Sequence, residues 1–357
     1  MSAFAADDSG RVFVADQAGI RFYSSASGEY LGRLAGTGQG PGEVLPSVQG
    51  MDVAPDGRVV VLDRGNRRIN VYDELSHTQT WRLPPGDLGY NRVGIVAGEN
   101  GSTWVAYDPP LPLDDSPRSF PRPAFLELDA HGRAVDTVWI GTEWTERCPF
   151  RSSYWWRAGW YDDLRAPYFP KIQWAMGRDG SVVTGCPASY TFELHRPGGE
   201  IVRVTRIDWE PVPVDRAERD GFVAAHEYDR GERGGFRGDG WSWRGPAPPE
   251  QRPAYLRLFL DPAGRVWVWP SQRRQARERV ARSGPSRVWR PPAEGAFEVF
   301  DRSGKLLGAI RWPEELRYDP YPGYSDPYIR GDTVWAVQRD SLDVEYLTKY
   351  VIQWNPE

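Results

Sequence analysis

Six times along the chain a short apolar run meets a tight polar turn, and a second apolar run answers it. The first three copies are AADDSGRVFVAD from Ala5, DVAPDGRVVVLD from Asp52 and IVAGENGSTWVAY from Ile95. WAMGRDGSVVTG follows from Trp174, LFLDPAGRVWVW from Leu258 and YIRGDTVWAVQ from Tyr328. Runs this short, rich in Val and Trp and bounded by Asp-Gly type turns, predict strands rather than helices. The turn glycines are Gly10, Gly57, Gly101, Gly180, Gly264 and Gly331, spaced by 47, 44, 79, 84 and 67 residues. A regular unit at irregular distance predicts insertions between copies.

A second half-unit follows most copies: strand, short turn, strand. Examples are IRFYSSASGEYLGRL, RINVYDELSHTQTWRL, AFLELDAHGRAVDTVWI, YTFELHRPGGEIVRVTRI and AFEVFDRSGKLLGAIRW. Each full copy then holds four short antiparallel strands, a to d, and such meanders repeated around an axis make a β-propeller. The chain is thus expected to be all-β: a single six-bladed propeller over 1–357, with blades near 3–35, 49–83, 93–140, 171–207, 255–311 and 326–354. The b strands read as continuous apolar runs because neighbouring blades cover both faces. Trp104, Trp267 and Trp335 hold equivalent b positions and are expected to wedge between blades. Blade six runs out at VEYLTKYVIQWNPE without a recognisable d strand, so three strands are expected there.

Blades one and two carry a family pattern. GTGQGPGEV (Gly36 to Val44), Pro46, Asp56-Gly57, Val59 to Asp63, Asn66, Arg68-Ile69 and Tyr72 follow one another in the order of the NHL repeat. The chain resembles bacterial six-bladed propellers of the NHL-like class, many without assigned activity. The resemblance implies a fold and leaves function open. The glycine run itself is not a phosphate cradle: no helix follows it, and its glycines are not spaced Gly-x-Gly-x-x-Gly. It reads as a crossover between blades.

Strand parity sorts the insertions. In an antiparallel meander the a–b and c–d turns share one end of the blade, and the b–c and d–a connections share the other. The long segments are Asp108 to Pro123, Gly141 to Pro170, Asp208 to Pro253, Pro270 to Glu294 and Pro313 to Ser325. Every one is a b–c or d–a connection. Long loops on one end of a rigid scaffold are the usual place for binding or catalysis, although tolerated drift is the alternative. Cys148 and Cys186 map to the same end. They are either two thiols or a disulfide closing a loop of 37 residues, which chain-entropy models value at roughly 3–4 kcal/mol. A bond would fit a periplasmic or exported protein.

Candidate chemistry lies on that end. Ser152 to Pro170 is dense in aromatics: Tyr154, Trp155, Trp156, Trp160 and Tyr161 can make a stacking platform, with Arg157 and Arg165 as planar donors to a carboxylate or phosphate. The same rings can instead form the insertion's own small core. Tyr107, Asp108, Lys171, His226 and Trp269 complete the candidate ligand-binding set on the face of the long loops. His226 follows a short predicted helix capped by Asp215 and Glu218. His77, His131 and His195 map to the other end, so a three-histidine zinc site is not expected at the mouth. Asp108, Asp114, Asp115, Asp162 and Asp163 offer the oxygens that Ca2+ takes, or are simply solvated. No Gly-x-Ser-x-Gly elbow occurs.

Composition narrows the partners. Gly 38, Pro 32 and 13% aromatics suit a turn-rich β fold, and the net charge of −5 offers no field for nucleic acid. Only three basic residues are lysine (Lys171, Lys305, Lys349), and the basic run from Gln272 to Arg282 lacks interleaved aromatics. No stretch approaches the roughly 20 apolar residues of a membrane helix. The opening MSAFAADDSG reads like the middle of a strand pattern, so a start upstream, with any targeting segment, is expected. The expected function is a monomeric binding module taking a small molecule, peptide, glycan or protein on the loop end. The alternative is a propeller enzyme, a metal-assisted lyase or hydrolase using calcium rather than zinc. A third reading is a scaffold in an envelope complex.

Overall fold

A computed structural model describes residues 2–46, 48–84, 94–107, 124–140, 148, 153–155, 161–163, 170, 172–221, 223–224, 247–271, 296–311, 327–339 and 344–354. Blade one is β1 (Ala3–Ala6), β2 (Arg11–Asp16), β3 (Gly19–Ser24) and β4 (Tyr30–Ala35). Blade two is β5 (Gly50–Val53), β6 (Val59–Asp63), β7 (Arg68–Asp73) and β8 (Ser76–Arg82). Blade three is β9 (Ile95–Ala97), β10 (Thr103–Tyr107), β11 (Ala124–Leu128) and β12 (Ala134–Trp139). A two-stranded hairpin, β13 (Ser153–Trp155) with β14 (Tyr161–Asp163), precedes blade four. That blade is β15 (Gln173–Met176), β16 (Val182–Gly185), β17 (Thr191–His195) and β18 (Ile201–Thr205). Blade five is β19 (Tyr255–Leu260), β20 (Val266–Pro270), β21 (Ala296–Phe300) and β22 (Leu306–Arg311). Blade six has three strands, β23 (Tyr328–Arg330), β24 (Thr333–Arg339) and β25 (Glu345–Val351). The protein is a six-bladed, all-β propeller with a three-stranded last blade, as the pattern predicts.

The turns explain why these strands form. In Asp-x-x-Gly-Arg/Lys the aspartate caps its own hairpin. Asp129 Oδ1 accepts from the His131 and Arg133 amides at 2.9 Å each, and Oδ2 accepts from Arg133 Nε at 2.8 Å. Asp7, Asp261 and Asp301 repeat the arrangement with Arg11, Arg265 and Lys305. Amides donating to the charged carboxylate favour it: the Arg133 backbone hydrogen bond leads in holding Asp129 down to about 2. The six a–b turn glycines all have φ between 59° and 90°, a region that side chains with a Cβ disfavour. Blade two turns its second hairpin without glycine, through Glu74 and Leu75 at φ 47° and 63°.

The core is six wedges of apolar side chains between adjacent blades. Phe13 and Tyr72 pack in the wedge between blades one and two, Trp104 and Phe125 between three and four, and Trp267 and Phe297 between five and six. Trp335 fills the last wedge with Phe4 and Val12 of blade one. Burying each such side chain is worth about 1.5–3 kcal/mol. The predicted tryptophan wedges stand where the repeat placed them.

The glycine run crosses from blade one to blade two with Val44 packed in their wedge, and residues of blade two bind its carbonyls. Arg68 donates to the carbonyls of Gln39, Gly40 and Glu43, at 3.0, 2.8 and 2.7 Å. Asn66 Nδ2 reaches Gly38 O, Asn70 Nδ2 reaches Glu43 O, and Tyr72 OH reaches Gly42 O. Glu43 curls back to accept from the Gly40 amide, so close to Gly38 that a Cβ there would collide with its Oε2. The pattern is thus a set of donors on blade two that catches the carbonyls of the incoming loop. This satisfies backbone that would otherwise be buried unpaired.

The end bearing the a–b and c–d turns, the plain end, is sealed by a polar floor. Arg178, from the first turn of blade four, donates through Nη2 to Asp52 Oδ1 of blade two at 2.7 Å and to Tyr328 OH of blade six at 3.2 Å. Tyr328 OH donates to Asp52 Oδ1 at 2.8 Å, and Asp52 Oδ2 accepts from the Ala97 amide of blade three at 2.9 Å. Blades two, four and six are not neighbours, so these side chains meet across the central channel. Arg178 and Asp52 are 8% and 6% exposed. Burial opposes the Arg178 charge, yet Asp52 leads the groups that hold it above the usual guanidinium range. Around this floor, polar ties cross three of the six blade boundaries: Arg330 to Asp8 (blades six and one), Arg302 to Asp179 (five and four), and Arg265 to Gly331 O (five and six).

Candidate functional site

The antiparallel order fixes which end carries the long connections. They join β10 to β11, β12 to β15, β18 to β19, β20 to β21 and β22 to β23. All five leave from the b–c and d–a end, the loop end.

The described stems of three of them, from β12 to β15, β18 to β19 and β20 to β21, meet at the turn between β16 and β17 of blade four. Cys186 in that turn is bonded to Cys148, with Cα atoms 5.4 Å apart, so the disulfide pins the connection from blade three. Ile172 packs on the pair. Pro187 O accepts from the Ala254 amide at 2.7 Å, and Ala254 O accepts from Ser271 N at 3.0 Å. The end of the blade four-to-five connection and the start of blade five's b–c connection are therefore joined through one residue. Tyr190 O closes the turn by accepting from the Arg206 amide at 3.0 Å.

The blade four-to-five connection has a stem of its own. Pro213 and Gln251 form an antiparallel bridge. Val214 N donates to Glu250 O and Arg252 N to Val212 O, both at 2.8 Å. A short helix over 216–221 starts there. Asp215 caps it as its sequence predicts, accepting from Glu218 N at 2.7 Å. The Arg252–Glu218 ion pair ties helix to stem, with side chains 7% and 12% exposed.

Beneath this stem lies a group that local sequence does not reveal. Tyr190 OH donates to Glu298 Oε2 of blade five, and Arg206 Nη1 donates to Glu298 Oε1 at 2.7 Å. Arg206 also grips Asp208 through two bonds of 2.7 Å, and its guanidinium lies over the Tyr190 ring. Tyr255 and Trp209 pack on the same ring, and Tyr255 OH donates to Thr191 O at 2.8 Å. Burial, then the Glu298 charge, pushes the Tyr190 phenol far above its ordinary value. Burial does the same to Tyr255. Both carboxylate oxygens of Glu298 are thus occupied within the cluster. It latches blade four to blade five. The partners lie 92 and 108 residues apart, so only the fold brings them together.

The candidate ligand-binding residues divide three ways. Tyr107 ends β10, half-buried beside the wedge between blades two and three, and burial raises its phenol. Trp155 and Tyr161 are directly paired in the β13–β14 hairpin, where Asp162 and Asp163 pair with Tyr154 and Ser153. Trp269 is 3% exposed, its ring 5.0 Å from that of Phe297 in the wedge between blades five and six, a packing position. Asp108, Trp156, Arg157, Trp160, Lys171 and His226 lie outside the described residues, as do Asp114 and Asp115. Among the described residues no three His, Cys, Asp or Glu side chains group as metal ligands. Nor is any helix of the described residues long and apolar enough to cross a membrane.

No protein-family model matches the chain, and comparison with curated proteins finds no match. Solved structures do match. A member of the DUF4221 family from Bacteroides vulgatus is 10% identical over 98% of this chain and 92% of that one, with a TM-score of 0.51. Virginiamycin B lyase from Staphylococcus aureus is 11% identical over 99% of this chain and 84% of that one, with a TM-score of 0.38. The calcium-binding protein regucalcin from Agrobacterium tumefaciens is 11% identical over 96% and 83%, with a TM-score of 0.39. At such identities likeness speaks of the fold alone.

Proposed function

We propose that the protein is a binding module whose site is the loop end, centred above blade four, and whose ligand is a glycan, peptide, small molecule or protein surface that stacks on aromatic rings. The observation that carries this reading is that the roots of two long connections are tied down beside blade four: the disulfide holds the blade three-to-four connection to Cys186, and Ala254 at the end of the blade four-to-five connection donates to Pro187 O. Fixing a loop at its root lowers the entropy lost when its tip orders on a ligand. Trp155, Trp156, Trp160 and Tyr161 supply the rings, and Arg157 supplies a planar donor. Tyr107, Asp108, Lys171 and His226 complete the proposed ligand-binding set. The disulfide supports a periplasmic or otherwise exported protein.

The enzyme reading, a lyase or hydrolase assisted by calcium, needs several polar groups aimed at one point. The described part of the loop end offers ion pairs already closed on themselves. The deciding experiment is a glycan and peptide array with the whole chain, followed by titration of each hit against a variant with Trp155, Trp156 and Trp160 changed to Ala. A binding module shows saturable binding, chemically unchanged ligand and at least tenfold weaker affinity in the variant. Turnover of a hit, or affinity unaltered by the three changes, overturns the proposal.

A further inference from the structure

In five blades a carboxylate ties down the a–b turn. Asp7, Asp56, Asp179 and Asp261 each accept a backbone amide, and Asp332 accepts from Trp354 Nε1. The turn of blade three, Gly98 to Ser102, has no aspartate. Asn100 stands there exposed, and among the described residues its side chain has no hydrogen-bond partner. The glycine after it is equally unbound. In blades two, four and five the turn glycine donates its amide to the carbonyl three residues back: Gly57 to Ala54 at 3.0 Å, Gly180 to Gly177 at 3.1 Å and Gly264 to Asp261 at 2.8 Å. Gly101 N makes no such bond among the described residues. Gly10 of blade one shares that freedom, but Ser9 before it has no side-chain carbonyl. Of the asparagines in the sequence, only Asn100 precedes a glycine. An unbound main-chain nitrogen, with no Cβ beside it, thus follows an unbound carboxamide.

We propose that Asn100 is a site of spontaneous modification in the folded protein, deamidating through a succinimide to aspartate and isoaspartate. The Gly101 nitrogen, having lost its proton to hydroxide, attacks Cγ of Asn100. The new N–Cγ bond closes the ring, the Cγ–Nδ2 bond breaks, and Nδ2 leaves as ammonia. Water then opens the ring. Attack at Cγ gives aspartate; attack at the main-chain carbonyl carbon leaves the chain running through Cγ, which is isoaspartate. One water is consumed and one ammonia released. Arg58 stands beside the reacting pair: its Nη2 lies 3.2 Å from where a Cβ on Gly101 would be, and Asp56 holds its Nε at 2.8 Å. A fixed cation there favours the negative charge that gathers on the attacking nitrogen and the carbonyl oxygen. The location gives the change a consequence. Glu99 N, one residue earlier, donates to Arg178 O at 3.1 Å, and Arg178 is the cation of the buried floor. Isoaspartate adds a carbon to the main chain beside that bond. Aspartate supplies the residue that blades two and four carry at this position, Asp56 and Asp179.

The test is timed incubation of the full chain at mildly alkaline pH, folded and in urea, read by peptide mapping with isoaspartate detection. Asn66, bonded to Asp63 and Gly38 O, and the buried Asn70 serve as internal references. In the folded chain Asn100 should convert roughly tenfold or more faster than either, and within about tenfold of its own rate in urea. Arg58→Gln should slow the folded chain and leave the rate in urea unchanged. The aged chain should unfold at lower denaturant than the fresh one, whereas Asn100→Asp, one product on an unaltered main chain, should not. A folded rate below the stated range means that the turn guards Asn100, and equal conversion of the three asparagines means that the turn confers nothing; either overturns the proposal. A folded Arg58→Gln rate equal to wild type overturns the part given to Arg58. An aged chain as stable as the fresh one overturns the link to the floor.

Discussion

The two ends of this propeller are built by different means. The plain end has short turns, aspartates that cap their own hairpins, and a buried Asp52–Arg178–Tyr328 floor whose polar atoms meet across the channel. The loop end has long connections, and its order comes from a few ties at their roots: one disulfide, one bridge and one latch. At the plain end polar groups hold the ring together and are spent on one another. At the loop end the described ties hold the roots of long connections to the ring. A change at the plain end should therefore cost stability, and a change at the roots should cost binding as well.

The sharpest way to break this contrast is Arg178→Ala. It leaves the Asp52 carboxylate buried without its cation, a loss of about 3–5 kcal/mol by the usual behaviour of broken buried pairs. Chemical denaturation should show it; a loss below about 1 kcal/mol would mean that the floor is ornamental. Next is Cys186→Ser, expected to cost roughly 3–4 kcal/mol, with wild type under reducing conditions behaving alike. Here the comparison is sharpened by a second reading: ligand affinity at the loop end should fall in a variant whose far-ultraviolet dichroism is unchanged. Unaltered affinity would separate the disulfide from the site. The smallest effect is at Asp129 on the plain end, where carboxyl titration by NMR should find a pKa of about 2. Because this value is depressed, the contribution to stability is present above the unfolded pKa of about 3.9 and is lost as the pH falls toward 2. A titration at the ordinary aspartate value would show that the turn cap is open in solution.

Most of the fold was legible because its causes are local. Asp-x-x-Gly-Arg writes its own turn within five residues, and apolar runs such as Val59 to Leu62 announce strands covered on both faces. The missing d strand of blade six was visible for the same reason. The donors that catch the glycine run were visible as a family pattern, although their purpose was not; Arg68 and Gly40 are 28 positions apart. The latch and the floor were not legible, because Glu298 meets Tyr190 across 108 positions and Arg178 meets Asp52 across 126. Trp269 stands at a strand end in the sequence, and only the blade geometry shows its ring packed in the wedge between blades five and six.

The meeting of Arg330 with Asp8 spans 322 positions, and Tyr328 reaches Asp52 across 276. Each blade can form from neighbours in sequence as it leaves the ribosome, but the ring can close only after the final hundred residues or so have been made. Until then the wedge face of blade one, with Phe4 and Val12, has no Trp335 to cover it. Synthesis order thus makes the first blade the last to be sheltered, and the time between its birth and ring closure is when this chain is most exposed to aggregation.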